Sequence, residues 1–306
     1  MRAVFANRHG AQYDVNQFIT DLMFADDGAV FADTDAEATD TLYNIARIAQ
    51  SYGLKINAEK TKALTTDGSP AHVHLNGGQI EQVREFKYLG SLVQEKKTAS
   101  SVEVYSRIAQ ATAAFASLKW CVWKKPNISA KMKICLFRSL VLPILLYGSE
   151  TWTLLKADAS KLEVFQMRCL RQILRVSICD RVRNEVIRDR CDKQPPIKEQ
   201  IQQRHLRWFG HVCRMNDHRL PRRLLWRQRP PEWKIQRAAP KKTWLKCVEE
   251  DLRPQRLSPE GAKKIAADRQ GWKNIVNGVL DPVAPTAAYW LRGRSPPNSQ
   301  APATEK

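Results

Sequence analysis

Two aspartates stand side by side at positions 26 and 27, inside the stretch ITDLMFADDGAVFA that spans residues 19–32. Adjacent carboxylates at one turn repel each other, and the apolar arms on either side suggest a partly desolvated setting. A divalent cation that prefers oxygen ligands relieves both problems. Asp26-Asp27-Gly28 is also the composition of an ordinary solvated turn. A motif this short does not choose between the two readings.

The elements that must position these acids can be read from the flanking residues. Leu22 to Ala25 form one apolar arm and Ala29 to Ala32 the other. Asp27-Gly28 is the expected hairpin turn, since glycine accepts the positive φ of a tight turn. Asp33, Thr34 and Asp35 supply N-caps for a helix over 36–52, where Leu42, Ile45, Ala46 and Ala49 recur at helical spacing and Gly53 ends the run. Leu54 and Ile56 alternate as in a short strand, with Lys60 and Lys62 just beyond. Asn76-Gly77-Gly78 predicts a second hairpin between Val73–Leu75 and Ile80–Val83. Phe86-Lys87-Tyr88-Leu89-Gly90 continues as a strand ending at a glycine. Residues 19–93 thus read as hairpin, helix, strand, hairpin, strand. A single hairpin is not stable alone, so these strands are expected to share a sheet, or to need sequence upstream.

From about Ser100 the pattern turns helical. Residues 101–123 carry a broad apolar face broken at Pro126, and Ser129 caps a second helix that Pro143 kinks or ends. A third runs from Leu154 to Val176, and there Arg168, Arg171 and Arg175 share one face. That stripe suits either solvent or a phosphate backbone. A further helix is expected over 197–213. Ser258-Pro259-Glu260 starts one that runs to about Val276, docked by Trp272. The polar, proline-rich tail after Asp281 is expected to be disordered.

Charge separates the two halves. Residues 1–100 carry 10 Lys/Arg against 13 Asp/Glu, and the remaining residues carry 40 against 18, within a net charge of +19. Such asymmetry points to a rear section that binds a polyanion. Within it, residues 203–246 hold 13 basic residues against two acids, interleaved with Trp208, Trp226, Trp233 and Trp244. Cations fit phosphates, and flat aromatics either stack on unpaired bases or pack a core. Arg204, Arg207, Trp208, Arg222 and Arg223 are the candidates for such contacts. The seven cysteines form no regular framework, which favours a reducing, intracellular compartment. The greasiest run, Val141–Tyr147, is too short to span a bilayer. Cys179, Cys191, His205, His211, Cys213 and His218 match no zinc spacing.

The order of these blocks resembles the C-terminal part of reverse transcriptases from non-LTR (LINE-type) retrotransposons. Phe24-Ala25-Asp26-Asp27 is similar to the polymerase active-site hairpin of that family, and Gly53-Leu54-Lys55-Ile56-Asn57 with Lys60-Thr61 to its next palm block. Phe86 to Gly90 resembles the primer-grip strand. Pro143 to Trp152 and Arg207-Trp208-Phe209-Gly210-His211 resemble two later blocks. The resemblance implies that Asp26 and Asp27 hold one side of a two-magnesium (Mg2+) centre and that Lys60 lies near the phosphates of an incoming dNTP. It also implies that Tyr88, Leu89 and Gly90 position the primer end, while the basic helices hold an RNA template and DNA primer. The implied reaction is DNA synthesis on RNA. The implied fold is α+β: a partial polymerase palm, an antiparallel sheet with one crossing helix, over 1–97, and a helical thumb or connection over 98–180. A basic, tryptophan-rich helical region over 181–280 and a tail over 281–306 follow.

The same family uses a further metal-binding aspartate and a fingers region from earlier blocks. Only Asp14 and Asp21 precede Asp26 here. The expectation is therefore an N-terminally truncated element, inactive on its own. A non-catalytic RNA/DNA-binding module and a non-functional relic are the alternatives.

Overall fold

The computed structural model describes residues 10–95, 100–227 and 242–278. The expected tail over 281–306, and Trp233, lie outside them. The chain divides into two compact units, Met1–Thr98 with His218–Lys241, and Ala99–Asp217 with Lys242–Lys306.

The first unit is built from hairpins. Strands β1 (Ala11–Asp14) and β2 (Gln17–Ile19) pair antiparallel, as do β3 (Asp21–Phe24) with β4 (Asp27–Val30). Helix α1 (Asp35–Ser51) follows, then β5 (His74–Leu75) with β6 (Gly78–Gln79), and β7 (Glu85–Tyr88) with β8 (Ser91–Gln94). Each ladder holds two strands, so the expected common sheet is replaced, among the described residues, by four separate ribbons. The expected strand at Leu54–Ile56 is irregular chain, and only an isolated bridge from Ala63 to Gln82 follows it. Both expectations rested on alternating side chains. Alternation marks a side that can be covered but does not supply a neighbour to pair with.

Helix α1 begins where its cap predicts. The Thr34 hydroxyl accepts from the Glu37 amide at 3.2 Å, and Gly53 at φ 72° closes the other end. Asp35 and Thr39 accept amide hydrogen bonds from His72 and His74 at 2.8 and 3.2 Å, which ties the helix to the second hairpin region. Ala71, Val73, Leu75 and Ile80 form the buried cluster between them, flanked by Ala38, Leu42 and Ala46.

The second unit is helical: α2 (Ser101–Ser117), α3 (Ala130–Leu136), α4 (Leu142–Leu145), α5 (Lys156–Leu174), α6 (Asn184–Arg190) and α7 (Ile197–Cys213). The chain then enters the first unit as α8 (Leu220–Leu225) and resumes the second with α9 (Trp244–Leu252), α10 (Pro259–Ala266) and α11 (Arg269–Gly278). The helix expected over 259–276 is thus two, because Asp268 accepts from the amides of Gln270 and Gly271 and caps a new start. Helix α2 stops at Ser117 and gives way to a wide π-type turn over Lys119–Trp123.

Phe137, Leu145, Leu162, Leu170, Ile187 and Ile197 are fully buried in the main core of this unit. Leu206, Phe209 and Val212 on α7 are buried, as are Val248, Leu252, Trp272 and Ile275 on the helices α9 and α11 that pack against it. Trp272 lies across Gly210 and donates its indole hydrogen to the Leu206 carbonyl at 2.9 Å; a Cβ at Gly210 would come within 2.0 Å of that indole nitrogen. Glu163 accepts from the Ile197 amide at 3.0 Å and pairs with Arg188, placing a carboxylate at the N-terminus of α7.

Candidate functional site

The hairpin that carries the acids turns two residues earlier than the sequence suggests. Phe24 pairs with Asp27 and Met23 with Gly28, so the turn is Ala25-Asp26 and Asp27 already belongs to β4. Gly28 is not the turn residue. A Cβ there would sit 2.8 Å from the Met23 sulfur, so its missing side chain makes room for the cross-strand methionine. The positive φ falls instead on Ala25, at 51°. An alanine in that region is strained, and such strain collects at sites where geometry matters more than stability.

Asp26 and Asp27 are therefore adjacent but differently held, one at the turn and one opening the return strand, and both are exposed. Phe24, immediately before them, is 64% exposed. Hard carboxylate oxygens suit magnesium. A two-ion centre takes more ligands than this pair offers, and among the described residues no group of three acids, histidines or cysteines could hold a metal. The donor set at the hairpin thus stops at two.

Strand β7 reaches the same hairpin. Tyr88 donates its phenolic hydrogen to the Leu22 carbonyl at 3.0 Å, joining the end of β7 to the arm that leads into Asp26. Leu89 and Gly90 form the turn that follows, at φ 48° and 83°. Leucine at positive φ is a second strained position beside the first. Lys60 is exposed on a turn whose geometry is fixed by its amide donating to Asn57 Oδ1 at 3.0 Å. Its amine has no hydrogen bond or ion pair among the described residues.

The basic candidates divide in their local roles. On α5, Arg171 donates to the Val182 carbonyl at 2.7 Å and to Asn184 at 2.9 Å. Arg175 ends that helix in a left-handed conformation and donates to the Lys124 carbonyl at 3.0 Å. Arg168 is exposed at a cleft of about 170 Å³. On α7, Arg204 is held 3.7 Å from Glu150, and burial pulls its pKa below the usual range, opposed by that carboxylate. Arg207 is exposed, and the half-buried Trp208 packs near the His211 ring at 5.5 Å. Arg222 and Arg223 belong to the first unit, where Arg223 pairs with Gln17 and lies 5.3 Å above the Tyr13 ring. Trp120 escaped the sequence reading. Its signal is the run KWCVWKK over 119–125, two tryptophans three apart among lysines.

Comparison with known proteins agrees with the resemblance carried by these blocks. Residues 6–93 match the family model described as reverse transcriptase (RNA-dependent DNA polymerase). The chain is 26% identical over 269 residues to a transposon-derived protein of Caenorhabditis elegans, an alignment covering 84% of this chain and 95% of that one. It is 30% identical over 130 residues to the RNA-directed DNA polymerase from mobile element jockey of Drosophila melanogaster, covering 41% of this chain and 14% of that protein. A third relative, named as a probable RNA-directed DNA polymerase from transposon BS of the same fly, is 27% identical over 146 residues, or 43% of this chain and 15% of its own. The chain therefore spans about one seventh of the two fly polymerases it matches and nearly all of the nematode protein. No solved structure matches. No described helix is long and apolar enough to cross a membrane.

Proposed function

We propose that this chain is the rear part of an RNA-directed DNA polymerase encoded by a transposable element. In this reading the Ala25-Asp26 turn presents two of the carboxylates that hold magnesium beside the primer end. Residues 1–97 act as a partial palm, and the helical second unit binds the template–primer. The observation that carries the reading is the Tyr88–Leu22 hydrogen bond, which couples the candidate primer-grip hairpin to the candidate metal hairpin.

The roles divide as follows. Asp26 and Asp27 bind a hard cation through their exposed oxygens. Magnesium, when bound, supplies charge stabilisation at the attacking and leaving oxygens of nucleotidyl transfer. Lys60 faces the phosphates of the dNTP as a mobile cation. Leu89 and Gly90 steady the primer backbone through a turn whose shape is set by two positive φ angles. Arg168, Arg207 and Trp208 on the second unit contact the hybrid duplex, chiefly through its phosphates. The two carboxylates are too few for a two-ion centre, and no third ligand joins them among the described residues, so in this reading primer extension needs a further carboxylate.

Two measurements on the purified chain test this. Binding of an RNA–DNA hybrid is expected to tighten about tenfold when magnesium replaces monovalent salt at equal ionic strength, and Asp26→Ala is expected to abolish that gain. Equal binding with and without magnesium would refute the metal role. Primer extension by the chain alone is expected to fail. Incorporation that Asp26→Ala removes would keep the polymerase reading and overturn the incompleteness. The second reading, a binding module without catalysis, is favoured by the excess of 40 basic over 18 acidic residues beyond residue 100. It predicts steep salt dependence with no magnesium effect.

A further inference from the structure

The π-type turn over Lys119–Trp123 separates two tryptophans that an α-helix would hold together. Residues three apart share a helix face. Here the amides of Trp123 and Lys124 reach back five residues, to the carbonyls of Leu118 and Lys119, and the widened turn swings the two rings apart. Trp123 faces inward. It is 3% exposed, stacks on Phe115 with centroids 4.7 Å apart and planes 12° from parallel, and donates to the Phe115 carbonyl at 2.6 Å. Trp120 faces outward and is 68% exposed, with the amines of Lys119 and Lys124 at 5.6 and 4.0 Å from its ring centroid.

This outward ring is mounted rigidly. The buried Lys133 amine donates to the carbonyls of Trp123 and Lys125 at 3.0 and 2.7 Å, and Arg175 donates to the carbonyl of Lys124 between them. Three consecutive carbonyls of one loop are thus gripped by two cations from other helices. Ordering a surface loop this firmly costs conformational entropy and needs a reason. Lys119, the residue before Trp120, also lines the cleft of about 170 Å³ between α2 and α5, with the apolar Phe115 on its wall and Arg168 and Gln172 around it.

We propose that Trp120 is a stacking platform for an unpaired base of RNA or single-stranded DNA, with Lys119, Lys124 and Arg168 on the neighbouring phosphates. The chemistry selects this ligand. An acidic peptide would use the lysines but has no need of a flat, solvent-facing ring, and a duplex keeps its bases stacked internally and offers only its backbone. An exposed ring with amines lying over it can exchange that contact for a splayed base, the amines moving to the two flanking phosphates. The platform serves the proposed handling of nucleic acid by this chain but does not depend on the aspartate hairpin, so it stands even where the catalytic reading fails.

The test is fluorescence anisotropy on the full chain with three labelled probes: a short oligo(U), an RNA–DNA hybrid of the same length, and polyglutamate. Trp120→Ala is expected to weaken oligo(U) binding about tenfold, the loss of one stacked base, while hybrid binding stays within about twofold. Trp120→Phe retains most of the affinity, and Lys124→Ala lowers the oligo(U) salt slope by about 0.7. The exposed ring can be removed without opening the core, so each variant should melt as the parent does. The platform is overturned if Trp120→Ala leaves oligo(U) binding unchanged, if it weakens oligo(U) and hybrid equally, or if only polyglutamate binding falls. Failure of the parent chain to bind either nucleic acid would remove the polyanion reading and the platform together. A lost magnesium effect with the Trp120 effect intact would remove only the catalytic reading.

Discussion

The two units solve the problem of cohesion differently. In the first, described order is local: ribbons of two strands, tight turns, and a cluster of four buried apolar side chains under α1. Phe24, Tyr52 and Leu54 are 64, 78 and 66% exposed there. In the second, helices distant in sequence enclose an extended apolar core that runs from Val104 to Ile201. The difference teaches that the candidate metal-binding acids sit on the thinner unit. Their geometry depends on turn strain and a few hydrogen bonds, whereas the basic helices are held by burial.

The sharpest way to break this contrast is to cut equivalent holes. Phe137→Ala empties a fully buried site in the helical unit and is expected to cost about 3–5 kcal/mol in urea unfolding. Leu75→Ala, in the small cluster, should cost about 2 kcal/mol, and equal losses would erase the distinction. Gly210→Ala drives a methyl into Trp272 and strips a buried indole of its acceptor, an expected loss of about 3 kcal/mol visible as a shifted tryptophan emission.

Thiol ionisation reports on the helical unit, because all seven cysteines fall within it. Burial pushes the Cys169 thiol up to about 12 and Cys191 up to about 11, against the opposing pull of Arg168 and Arg138. The unfolded thiols ionise near pH ~8.5, so the folded state binds more protons above that point. Stability is full below pH ~8.5 and is expected to fall by on the order of 5 kcal/mol by pH ~11, and Cys169→Ala should flatten the slope. A parent curve already flat across that range would contradict the burial.

The smallest effects concern the thin unit. Ala25→Gly relieves a positive φ and should stabilise the hairpin by about 1 kcal/mol, measured as slower amide exchange in β3 and β4. Tyr88→Phe should cost about 0.5–1 kcal/mol by the same probe, and protection unchanged in β3 would show that β7 does not support it.

Local rules made much of this legible. Thr34 and Ser129 cap their helices as side-chain chemistry demands, Asn76-Gly77 turns where it should, and α7 occupies the predicted span. What escaped the sequence depended on partners. Gly28 looked like a turn residue because its clash is with Met23, across the ladder rather than along the chain. Leu54 and Ile56 had strand alternation but no strand to join. Arg171 and Arg175 shared a face, but Val182 and Lys124 already take hydrogen bonds from them, and spacing says nothing about carbonyls that arrive from other segments. At the candidate site, the two aspartates were readable as a pair. Their unequal backbone settings, and the tie to Tyr88, were not.

Trp272 resting on Gly210 has a consequence for how the polypeptide is made. The hairpins close over a few residues and can form as they leave the ribosome, since short loops are fast to shut. The groove of α7 waits for an indole that is translated 62 positions later. Until then its greasy side stays uncovered, and a nascent chain stalled before α11 exposes a surface that chaperones bind and neighbours stick to.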